Sequence, residues 1–375
     1  MKPMNADVLI VGGGIMGTAA AFFLRRRGRS AILLERGLVG QQASAVNFGA
    51  VRRLGRFLPQ LPLATRSREI WAKLPELIGH DSEFLASGLM RVCYREEEAD
   101  IFESYGTDAA HYGLALDMYR GQAMRAKFPF LGPEVLAAQY SATCGHANPR
   151  LAAPAFSRAA AREGAQIVEN TDIVRVEKDG DSFRATSADG RSFRAPNLLI
   201  TAGAWAGQLS AQFGEPVPIN GQGPQMGVTE PMPYGIVPVI NVGSDKLEEI
   251  IYFRQVKRGN IVFGGGRRST AYLDERRAKV EPENTLTQFQ RLRRLAPALA
   301  RLNLIRVWSG VEGYLSDELP VIGTSRKVSG LFYAFGFCGH GFQLGPGVGD
   351  AMAEWIDTGS TSTPLQPFDI GRFLS

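Results

Sequence analysis

Short apolar runs separated by polar or glycine-containing segments predict the strands and helices of this chain. Ala6–Val11 is a run of the kind found in buried parallel strands. Thr18–Leu24 is rich in small and apolar residues and predicts a helix, which Gly28 ends. Ser30–Leu34 predicts a second strand. The strand, helix and strand together predict a parallel βαβ unit at the start of the chain.

The same pattern predicts further elements along the rest of the chain. Asp189-Gly190 and Lys257-Arg258 are turn sequences that predict two hairpins, and Gly345–Ile356 predicts a last helix. The glycine- and proline-rich segment Pro216–Gly227 predicts a crossing between domains. The other predicted strands are Gly88–Tyr94, a strand within Ile167–Val176 that includes Thr171–Val176, Ser182–Ser187, Ser192–Ala195, Leu198–Ile200, Ile250–Val256, Gly259–Phe263 and Gly330–Phe335.

A GxGxxG motif lies between the first predicted strand and helix. Gly12 permits a tight turn, Gly14 lets the backbone approach a pyrophosphate, and Gly17 lets the helix pack on the strand. The start of that helix presents free N–H groups and a partial positive charge to phosphates. Glu35 ends the second predicted strand and is placed to accept hydrogen bonds from ribose hydroxyls. The motif therefore predicts a dinucleotide, and Glu35 argues against the 2′-phosphate of NADP.

Composition and charge narrow the class of protein. A length of 375 residues suggests about two domains, and 45% hydrophobic residues are typical of a globular chain. The net charge of +5 comes without a block of Lys and Arg, so we do not expect nucleic-acid binding. Three distant cysteines and four scattered histidines predict neither disulfides nor a metal site. Without a long apolar run or a secretory signal, we expect a cytoplasmic protein, with peripheral attachment to the inner membrane as the alternative.

The glycine motif alone does not distinguish FAD from NAD. The residues after Glu35 favour FAD, because Gly40–Gly49 is a polar, glycine-punctuated loop where NAD dehydrogenases usually continue the βαβ pattern. Other unusual segments follow much later, at Thr201–Ala206 (TAGAWA), at Arg306–Gly323 and at Gly336–Phe342 (GFCGHGF).

Taken in order, these segments resemble the D-amino-acid oxidase, glycine oxidase and sarcosine oxidase family of flavoenzymes. Within that family, the stretch Gln41–Arg53 and the tail Gly341–Gly349 look most similar to bacterial D-hydroxyproline dehydrogenases. They also resemble the flavin subunits of opine-oxidising and hydrogen-cyanide-forming enzymes. The resemblance spans nearly the whole chain.

The resemblance implies an α/β chain with a two-domain FAD fold. One domain would be Rossmann-like with a parallel sheet, and a mostly antiparallel β domain would cover the substrate. The FAD domain would be discontinuous, built from residues 1–45, 145–215 and 305–375. Residues 46–144 and 216–304 would form the substrate domain.

The resemblance also implies which residues hold FAD. Sarcosine oxidase-like relatives carry a covalent flavin cysteine that would fall near Gly310, so we expect non-covalent FAD. The expected cofactor-binding residues are Gly12, Gly14, Ile15, Met16, Gly17, Glu35, Arg36, Ser44, Asn47, Gly49, Val174, Ala202, Gly203, Trp205, Gly310, Gly339, His340, Gly341, Phe342 and Gln343.

By the same resemblance, we expect oxidation of the C–N bond of a D-amino or imino acid, with cis-4-hydroxy-D-proline or D-proline as the first candidate. Two positions depart from the relatives: Glu312 stands where glycine oxidase-like members have an arginine, and Gln343 where sarcosine oxidase-like members have a lysine. A substrate carboxylate needs a cation, ideally Arg. The candidate catalytic residues are Arg52 and Arg53 as first choice for that cation, Arg254 beside Tyr252 as second, His340 near the flavin, and Glu312 as partner of a cation.

The electron acceptor and the assembly stay open at this point. Asn260–Gly266 has no lysine, whereas sarcosine oxidase-like members use a lysine there toward O2, so we expect a dehydrogenase that passes electrons to a quinone or a partner flavoprotein. An oxidase that uses O2 is one alternative. The FAD subunit of a multi-subunit opine enzyme is another, and homo- and hetero-oligomers both remain open.

Overall fold

The apolar runs form strands throughout residues 3–374, the part of the chain that the computed structural model describes. Most strands are short, and many are buried on both faces. In chain order they are β1 (Met4–Asn5), β2 (Val8–Val11), β3 (Ala31–Leu34), β4 (Ala50–Val51), β5 (Leu89–Cys93), β6 (Asp117–Arg120), β7 (Ala137–Ser141), β8 (Gly145–His146), β9 (Gln166–Val168), β10 (Ile173–Asp179), β11 (Ser182–Ser187), β12 (Ser192–Ala195), β13 (Asn197–Ile200), β14 (Asn220–Gly223), β15 (Gln225–Pro231), β16 (Val239–Val242), β17 (Tyr252–Gln255), β18 (Asn260–Gly264), β19 (Ser269–Tyr272), β20 (Arg277–Ala278), β21 (Leu304–Ser309), β22 (Glu312–Tyr314), β23 (Val321–Thr324) and β24 (Leu331–Phe335).

The helices connect these strands and cover the sheets. The α-helices are α1 (Ile15–Arg26), α2 (Ala43–Val46), α3 (Leu61–Ala72), α4 (Leu74–Ile78), α5 (Glu96–Ala110), α6 (Gly121–Lys127), α7 (Pro149–Arg162), α8 (Ala206–Ala211), α9 (Pro282–Leu295) and α10 (Gly341–Thr358). Short 3-10 turns lie at Leu58–Gln60, Gly203–Trp205, Pro297–Arg301, Gln366–Phe368 and Ile370–Phe373. Among the helices of the described chain, none combines the length and apolar character that a membrane span requires.

A six-stranded sheet holds the βαβ unit predicted from the sequence. Its order is β23-β24-β13-β2-β3-β9, and every neighbouring pair except β23 with β24 is parallel. β2 and β3 are fully buried, as their apolar sequences predict. The helix begins at Ile15, three residues before the predicted start, because Gly14 serves as its extended N-cap and Gly17 is accepted inside its first turn.

An eight-stranded sheet packs against the other side of the central cavity. Its order is β21-β15-β18-β17-β16-β5-β7-β6, and only the pair β16 and β5 is parallel. The two predicted hairpins are confirmed as β11 with β12 and β17 with β18. The predicted crossing at Pro216–Gly227 is largely strand, because β14 pairs with β19 and β22 there and β15 begins at Gln225. A Cβ atom on Gly223 would lie 2.4 Å from Oγ of Ser269 in β19, so glycine permits this pairing.

The expected α/β class, with one mainly parallel and one mostly antiparallel sheet, is therefore confirmed. The exact domain ranges stay a prediction. β21 lies within the range 305–375 assigned to the FAD domain, apart from Leu304, yet it pairs with β15 as the edge of the eight-stranded sheet.

α10 packs closely along α1 because its facing positions carry no side chains. A Cβ atom on Gly341 would lie 2.8 Å from Cε of Met16, and one on Gly345 would lie 2.5 Å from Cγ2 of Ile15. α10 begins four residues before its predicted start, because the glycines that lower helix propensity are here the residues that permit the contact.

One ion-pair network ties α10 to α3. Nη1 of Arg66 donates to Oε2 of Glu354 at 2.6 Å, and Nη2 of Arg66 lies 2.7 Å from Oδ2 of Asp350. Burial raises the pKa of the Glu354 carboxyl, but the hydrogen bonds from Arg66 and Thr361 outweigh it and lower that pKa to about 2.

We therefore predict acid-sensitive stability from this network. The folded-state pKa of Glu354 lies below the unfolded value, so its contribution is present above about pH 4.5 and is lost as pH falls toward 2. Glu354→Gln should lower the free energy of unfolding at pH 7 by about 1–3 kcal/mol and flatten its fall between pH 5 and 2. Denaturant titrations at several pH values measure both. Glu96→Gln, which removes the exposed partner of Arg120, is the control and should change little.

Candidate active site

A cavity of about 930 Å³ lies where the parallel strands end and the eight-stranded sheet begins. It is lined by the residues that follow β2, β3, β13 and β24, so it sits at the carboxyl ends of the parallel strands, where ligands of such sheets bind. The volume is at the upper end of the range of about 300–1,000 Å³ for ligand pockets. The cavity is therefore large enough for an extended ligand.

The glycine motif forms one end of this cavity. Gly12 has φ of 115°, and a Cβ atom there would lie 2.5 Å from the carbonyl oxygen of Thr201, so only glycine fits. Gly12, Gly14, Ile15 and Met16 line the cavity, whereas Gly17 does not. A Cβ atom on Gly17 would lie 2.1 Å from the Gly12 carbonyl oxygen, which is the close packing that the motif predicts.

Two polar side chains hold the start of α1. Oγ of Ser44 accepts a hydrogen bond from the Ile15 N–H at 2.9 Å. Oε2 of Glu35 accepts from the Gly13 N–H at 2.7 Å, and Oε1 accepts from the Gly37 N–H at 2.8 Å. Glu35 thus fixes the glycine turn while it lines the cavity, and its remaining lone pairs are free to accept from a ribose.

The neighbouring part of the wall carries an aromatic and cationic pair. The guanidinium of Arg36 lies 4.6 Å from the ring centre of Trp205, and Nε1 of Trp205 donates to the carbonyl oxygen of Leu273 at 3.1 Å. This region is lined by Val174, Ala202, Gly203, Arg36 and Trp205, and their contact with a cofactor stays a prediction.

The loop at Gly40–Gly49 is held by its own backbone. Nδ2 of Asn47 donates to the carbonyl oxygen of Ala43 at 2.9 Å, and Oδ1 of Asn47 accepts from the Gly49 N–H at 2.8 Å. Asn47 and Gly49 both line the cavity. Asn47 therefore shapes the turn, and its contact with a cofactor stays a prediction.

Gly310 borders the cavity against this loop. A Cβ atom on Gly310 would lie 2.0 Å from Cγ2 of Val46, so no side chain fits at the position where covalent relatives carry their cysteine. Cys338 lies nearby in the GFCGHGF turn, but it is buried, and its sulfur accepts from the Leu315 N–H at 3.2 Å. Burial raises the pKa of its thiol to about 11, which keeps it protonated at neutral pH.

The start of α10 faces the middle of the cavity. Gly339, His340, Gly341, Phe342 and Gln343 all line it, and His340 is the residue at the helix N-cap. Burial, with the positive charges of Arg52, Arg56 and Arg268, holds the pKa of His340 well below its ordinary value. His340 is therefore neutral at physiological pH, and its buried Nδ1 has no hydrogen-bond partner.

Gln343 brings no cation to the cavity, and it is hydrogen-bonded to the adjoining helix α3. Its side-chain Nε2 donates to the carbonyl oxygen of Ala64 at 2.8 Å, and its backbone carbonyl oxygen accepts from Nε1 of Trp71 at 2.9 Å. Trp71 also packs at 5.0 Å from the ring of Phe342. This position, which is lysine in sarcosine oxidase-like relatives, here joins α10 to α3.

Glu312 places a carboxylate beside the GFCGHGF turn. Oε1 accepts from the Gly339 N–H at 2.7 Å, and Oε2 accepts from the hydroxyl of Tyr314 at 3.1 Å. Burial raises the pKa of Glu312, and these hydrogen bonds and the nearby Arg268 oppose that rise. The cavity thus contains an acidic group at the position where glycine oxidase-like relatives have a base.

The structure brings only one of the three predicted carboxylate-binding arginines to the cavity. Arg52 lines it, but Arg53 and Arg254 do not. Arg53 is directed to the hydroxyls of Thr65 and Thr143, at 3.1 and 3.3 Å.

Arg254 instead lies beneath the cavity wall. It shares a face of β17 with Tyr252, and Tyr252 lines the cavity while Arg254 lies one row further along the strand. Nε of Arg254 donates to the carbonyl oxygen of Phe48 at 2.8 Å, and Phe48 packs on Tyr252 with ring centres 4.6 Å apart. Arg254 therefore positions this part of the wall.

Several arginines at the cavity were not predicted from the sequence. Arg56, Arg91, Arg267, Arg268 and Arg276 line it in addition to Arg36 and Arg52. Arg268 also lies 3.8 Å over the ring of Tyr314. Arg91 had a signal in the sequence, because it is the one charged residue of the apolar strand Leu89–Cys93. Arg56 had none, because it follows a loop with no periodicity.

Two helix N-termini and one carboxylate of this chain make the cavity suitable for FAD. The α1 N-terminus is shaped for a pyrophosphate, because Gly12 and Gly17 leave no room for side chains there. Glu35 lies beside it and can accept hydrogen bonds from a ribose. The α10 N-terminus, which includes the unpartnered Nδ1 of His340, meets the same cavity next to the α1 N-terminus. Together they would hold the adenosine diphosphate and the isoalloxazine, respectively.

We predict that the Glu35 carboxylate is needed to retain FAD. Glu35→Gln loses the charge-assisted hydrogen bond to the Gly13 N–H, so the Kd for FAD should rise by about tenfold or more. Quenching of FAD fluorescence by the apoprotein measures this Kd. Glu169→Gln is the matched control, because Glu169 accepts from the Val39 N–H at 2.7 Å but does not line the cavity. An unchanged Kd in Glu35→Gln would contradict the assignment.

Known proteins are similar to this chain over nearly its whole length. Glycine oxidase of Geobacillus kaustophilus is 28% identical, with 98% of this chain and 97% of that protein covered. One subunit of the opine oxidase of Rhizobium meliloti is 25% identical, with 98% of each chain covered. The crystal structure of L-proline dehydrogenase from P. horikoshii is 26% identical and superposes with a TM-score of 0.91, covering 99% of this chain and 98% of that one.

A family model described as DAO, FAD dependent oxidoreductase, matches residues 7–355. That range includes both sheets and every residue of the cavity wall. The chain belongs to this family of FAD-dependent oxidoreductases, and it is an enzyme that uses FAD to oxidise the C–N bond of an amine or amino acid.

Proposed function

We propose that the substrate is a D-amino or imino acid, and that cis-4-hydroxy-D-proline or D-proline is the first candidate. The observation that carries this proposal is the placement of opposite charges around one turn. The positive charge of Arg52 lowers the pKa of His340, and Glu312 is hydrogen-bonded to the adjacent Gly339. A zwitterion whose carboxylate meets Arg52 would have its ammonium group directed to Glu312.

Bound FAD supplies the acceptor for the hydride that leaves the carbon bearing nitrogen. The residues of the chain do the remaining work. Nη1 of Arg52 already donates to the carbonyl oxygens of Leu54 and Gly55, so its Nε and Nη2 would bind the carboxylate as a two-pronged donor. Glu312 would hold the amine. Neutral His340 adds no positive charge to oppose the amine. The N-terminus of α10 would stabilise negative charge that develops beside it.

Three observations support a cyclic imino acid. The stretch Gln41–Arg53, which includes the loop against the cavity, resembles that of D-hydroxyproline dehydrogenases. A solved structure of similar fold is an L-proline dehydrogenase. The rings of Phe48 and Tyr252, tilted by 59° to each other, both line the cavity and form an aromatic corner that suits a ring substrate.

The absence of lysine from Asn260–Gly266 supports a dehydrogenase, with a quinone or partner flavoprotein as electron acceptor. Gly265 and Gly266 border the cavity in that segment. An O2-using oxidase is the alternative. The FAD subunit of a hetero-oligomeric opine enzyme is a further one, supported by the 25% identity with the opine oxidase subunit of Rhizobium meliloti. FAD would be non-covalent, because the space at Gly310 is filled by Val46.

We predict that Arg52 controls substrate binding. Arg52→Met should raise KM for the substrate about tenfold to a hundredfold, the effect of losing about 1.5–3 kcal/mol from a charged hydrogen bond. Arg53→Met, which removes a neighbouring guanidinium that points away, is the control. Steady-state kinetics on protein of equal FAD content measure both. Equal KM values for the two variants and the wild type would show that the carboxylate binds elsewhere.

We further predict substrate-dependent bleaching of the FAD absorbance under anaerobic conditions. cis-4-Hydroxy-D-proline and D-proline should bleach it faster than their L-enantiomers, glycine or sarcosine. In air, dye reduction should exceed H2O2 formation. Stoichiometric H2O2 at the rate of dye reduction would instead establish an oxidase, and bleaching only by L-proline would assign the opposite enantiomer.

A further inference from the structure

We propose that Arg56 and Arg91, beside Arg52, form a second anion site that binds an oxyanion group while Arg52 holds the substrate carboxylate. We call this region, made of Arg52, Arg56 and Arg91, the arginine end of the cavity. The inference rests on the proposed function, because it assumes that Arg52 binds the first carboxylate. It extends that function to ligands that bring two anionic groups to one cavity.

Arg56 is fixed and unpaired at the cavity wall. It is 3% exposed, its Nε donates to the Arg52 carbonyl oxygen at 2.8 Å, and its Nη2 donates to the His340 carbonyl oxygen at 3.3 Å. Its Nη1 is buried and has no hydrogen-bond partner. Because Arg56 lines the cavity, the unused donor belongs to a group built into the site and held rigidly. A buried donor without a partner costs free energy that a bound acceptor would recover.

Arg91 extends to the arginine end of the cavity from strand β5 of the eight-stranded sheet. Directly paired positions of adjacent strands share one sheet face, and Arg91, Asn241 and Tyr252 are paired in this way across β5, β16 and β17. All three line the cavity. The Arg91 guanidinium stacks 4.7 Å over the ring of Phe102. A Cβ atom on Gly55 would lie 3.1 Å from Nη1 of Arg91, so glycine gives the guanidinium its room.

In the described part of the chain, the guanidiniums of the arginine end have no carboxylate in direct contact. Within residues 3–374, no carboxylate lies within 4.0 Å of the guanidinium of Arg52, Arg56 or Arg91. Burial lowers the pKa of all three, and Arg52 acts as a like charge on the other two, yet Arg91, with a pKa of about 10, is charged at neutral pH. Buried cations without counter-ions are costly.

One substrate carboxylate would neutralise one of three guanidiniums. The remaining two would still be buried without a carboxylate partner among the described residues, which favours a second anion over an empty site. Oδ1 of Asn241 also has no partner at this wall, and a flipped amide would offer a further donor. The chemistry required of the ligand is a small oxyanion, either a second carboxylate on the same substrate or a free anion bound beside a monocarboxylate.

The first test is a titration of the wild-type holoenzyme in buffer free of phosphate and sulfate. Acetate, malonate and iminodiacetate are added, and binding is measured by perturbation of the FAD spectrum and by Tm. If the two anionic groups belong to one molecule, malonate and iminodiacetate should bind at least about tenfold more tightly than acetate. If the second anion is free, phosphate should tighten acetate binding instead. Equal affinities for all three ligands, unaffected by phosphate, would overturn the proposal.

The second test separates this site from the carboxylate site. Arg56→Gln and Arg91→Gln should each weaken iminodiacetate binding by about tenfold while acetate affinity changes less than about threefold. Arg52→Met should weaken both ligands. Arg53→Gln is the matched control and should weaken neither. If Arg56→Gln does not retain FAD, Arg91→Gln and the wild-type titration decide the question.

The two hypotheses fail in different ways. Loss of iminodiacetate affinity only in Arg52→Met would reject the second anion site and leave the proposed function intact. Acetate binding that is independent of Arg52 would reject the carboxylate assignment on which the proposed function depends. Weakening confined to the dianion in Arg56→Gln or Arg91→Gln would support both.

Discussion

The close contact between α1 and α10 is the constraint on which the site depends. Two helices can begin side by side at one sheet edge only if their backbones approach closely, and the glycines of α10 that face Ile15 and Met16 permit this. Both helix N-termini then open into one cavity. A single sheet edge thereby offers two regions of partial positive charge, one for phosphates and one for the reacting end of the cofactor.

The cavity is also polarised, with an acidic and a basic side chain at one turn. Oε1 of Glu312 accepts a hydrogen bond from the Gly339 N–H of the GFCGHGF turn, and Nη2 of Arg56 donates to the carbonyl oxygen of the next residue, His340. A carboxylate and a guanidinium therefore contact adjacent residues of one turn, whose histidine is neutral. Because the turn is shared, the charge pattern that would orient a substrate also fixes the residues beside the flavin.

The sequence predicted well what is local and poorly what is long-range. The glycine motif, Glu35 and the GFCGHGF turn are contiguous signals whose function follows from backbone geometry, so their positions at the cavity could be foreseen. The choice among arginines could not. Arg53 and Arg52 are adjacent, yet only Arg52 meets the cavity, because Thr65 and Thr143 bind Arg53 on another side. The prediction that Arg254 lies at the cavity was wrong for a related reason. Strand alternation correctly predicts which sheet face Arg254 occupies, but it does not predict how far along that face the cavity extends.

The row of paired residues across the eight-stranded sheet has a consequence for how such a site can change. Arg91, Asn241 and Tyr252 share a face only while β5, β16 and β17 keep their register. Inserting or deleting one residue in any of these strands would turn its side chain away from the ligand and expose its apolar neighbour instead. Divergence in specificity on this wall must therefore proceed by substitution at fixed positions, whereas the turn at Lys257-Arg258 can vary in length without moving the row.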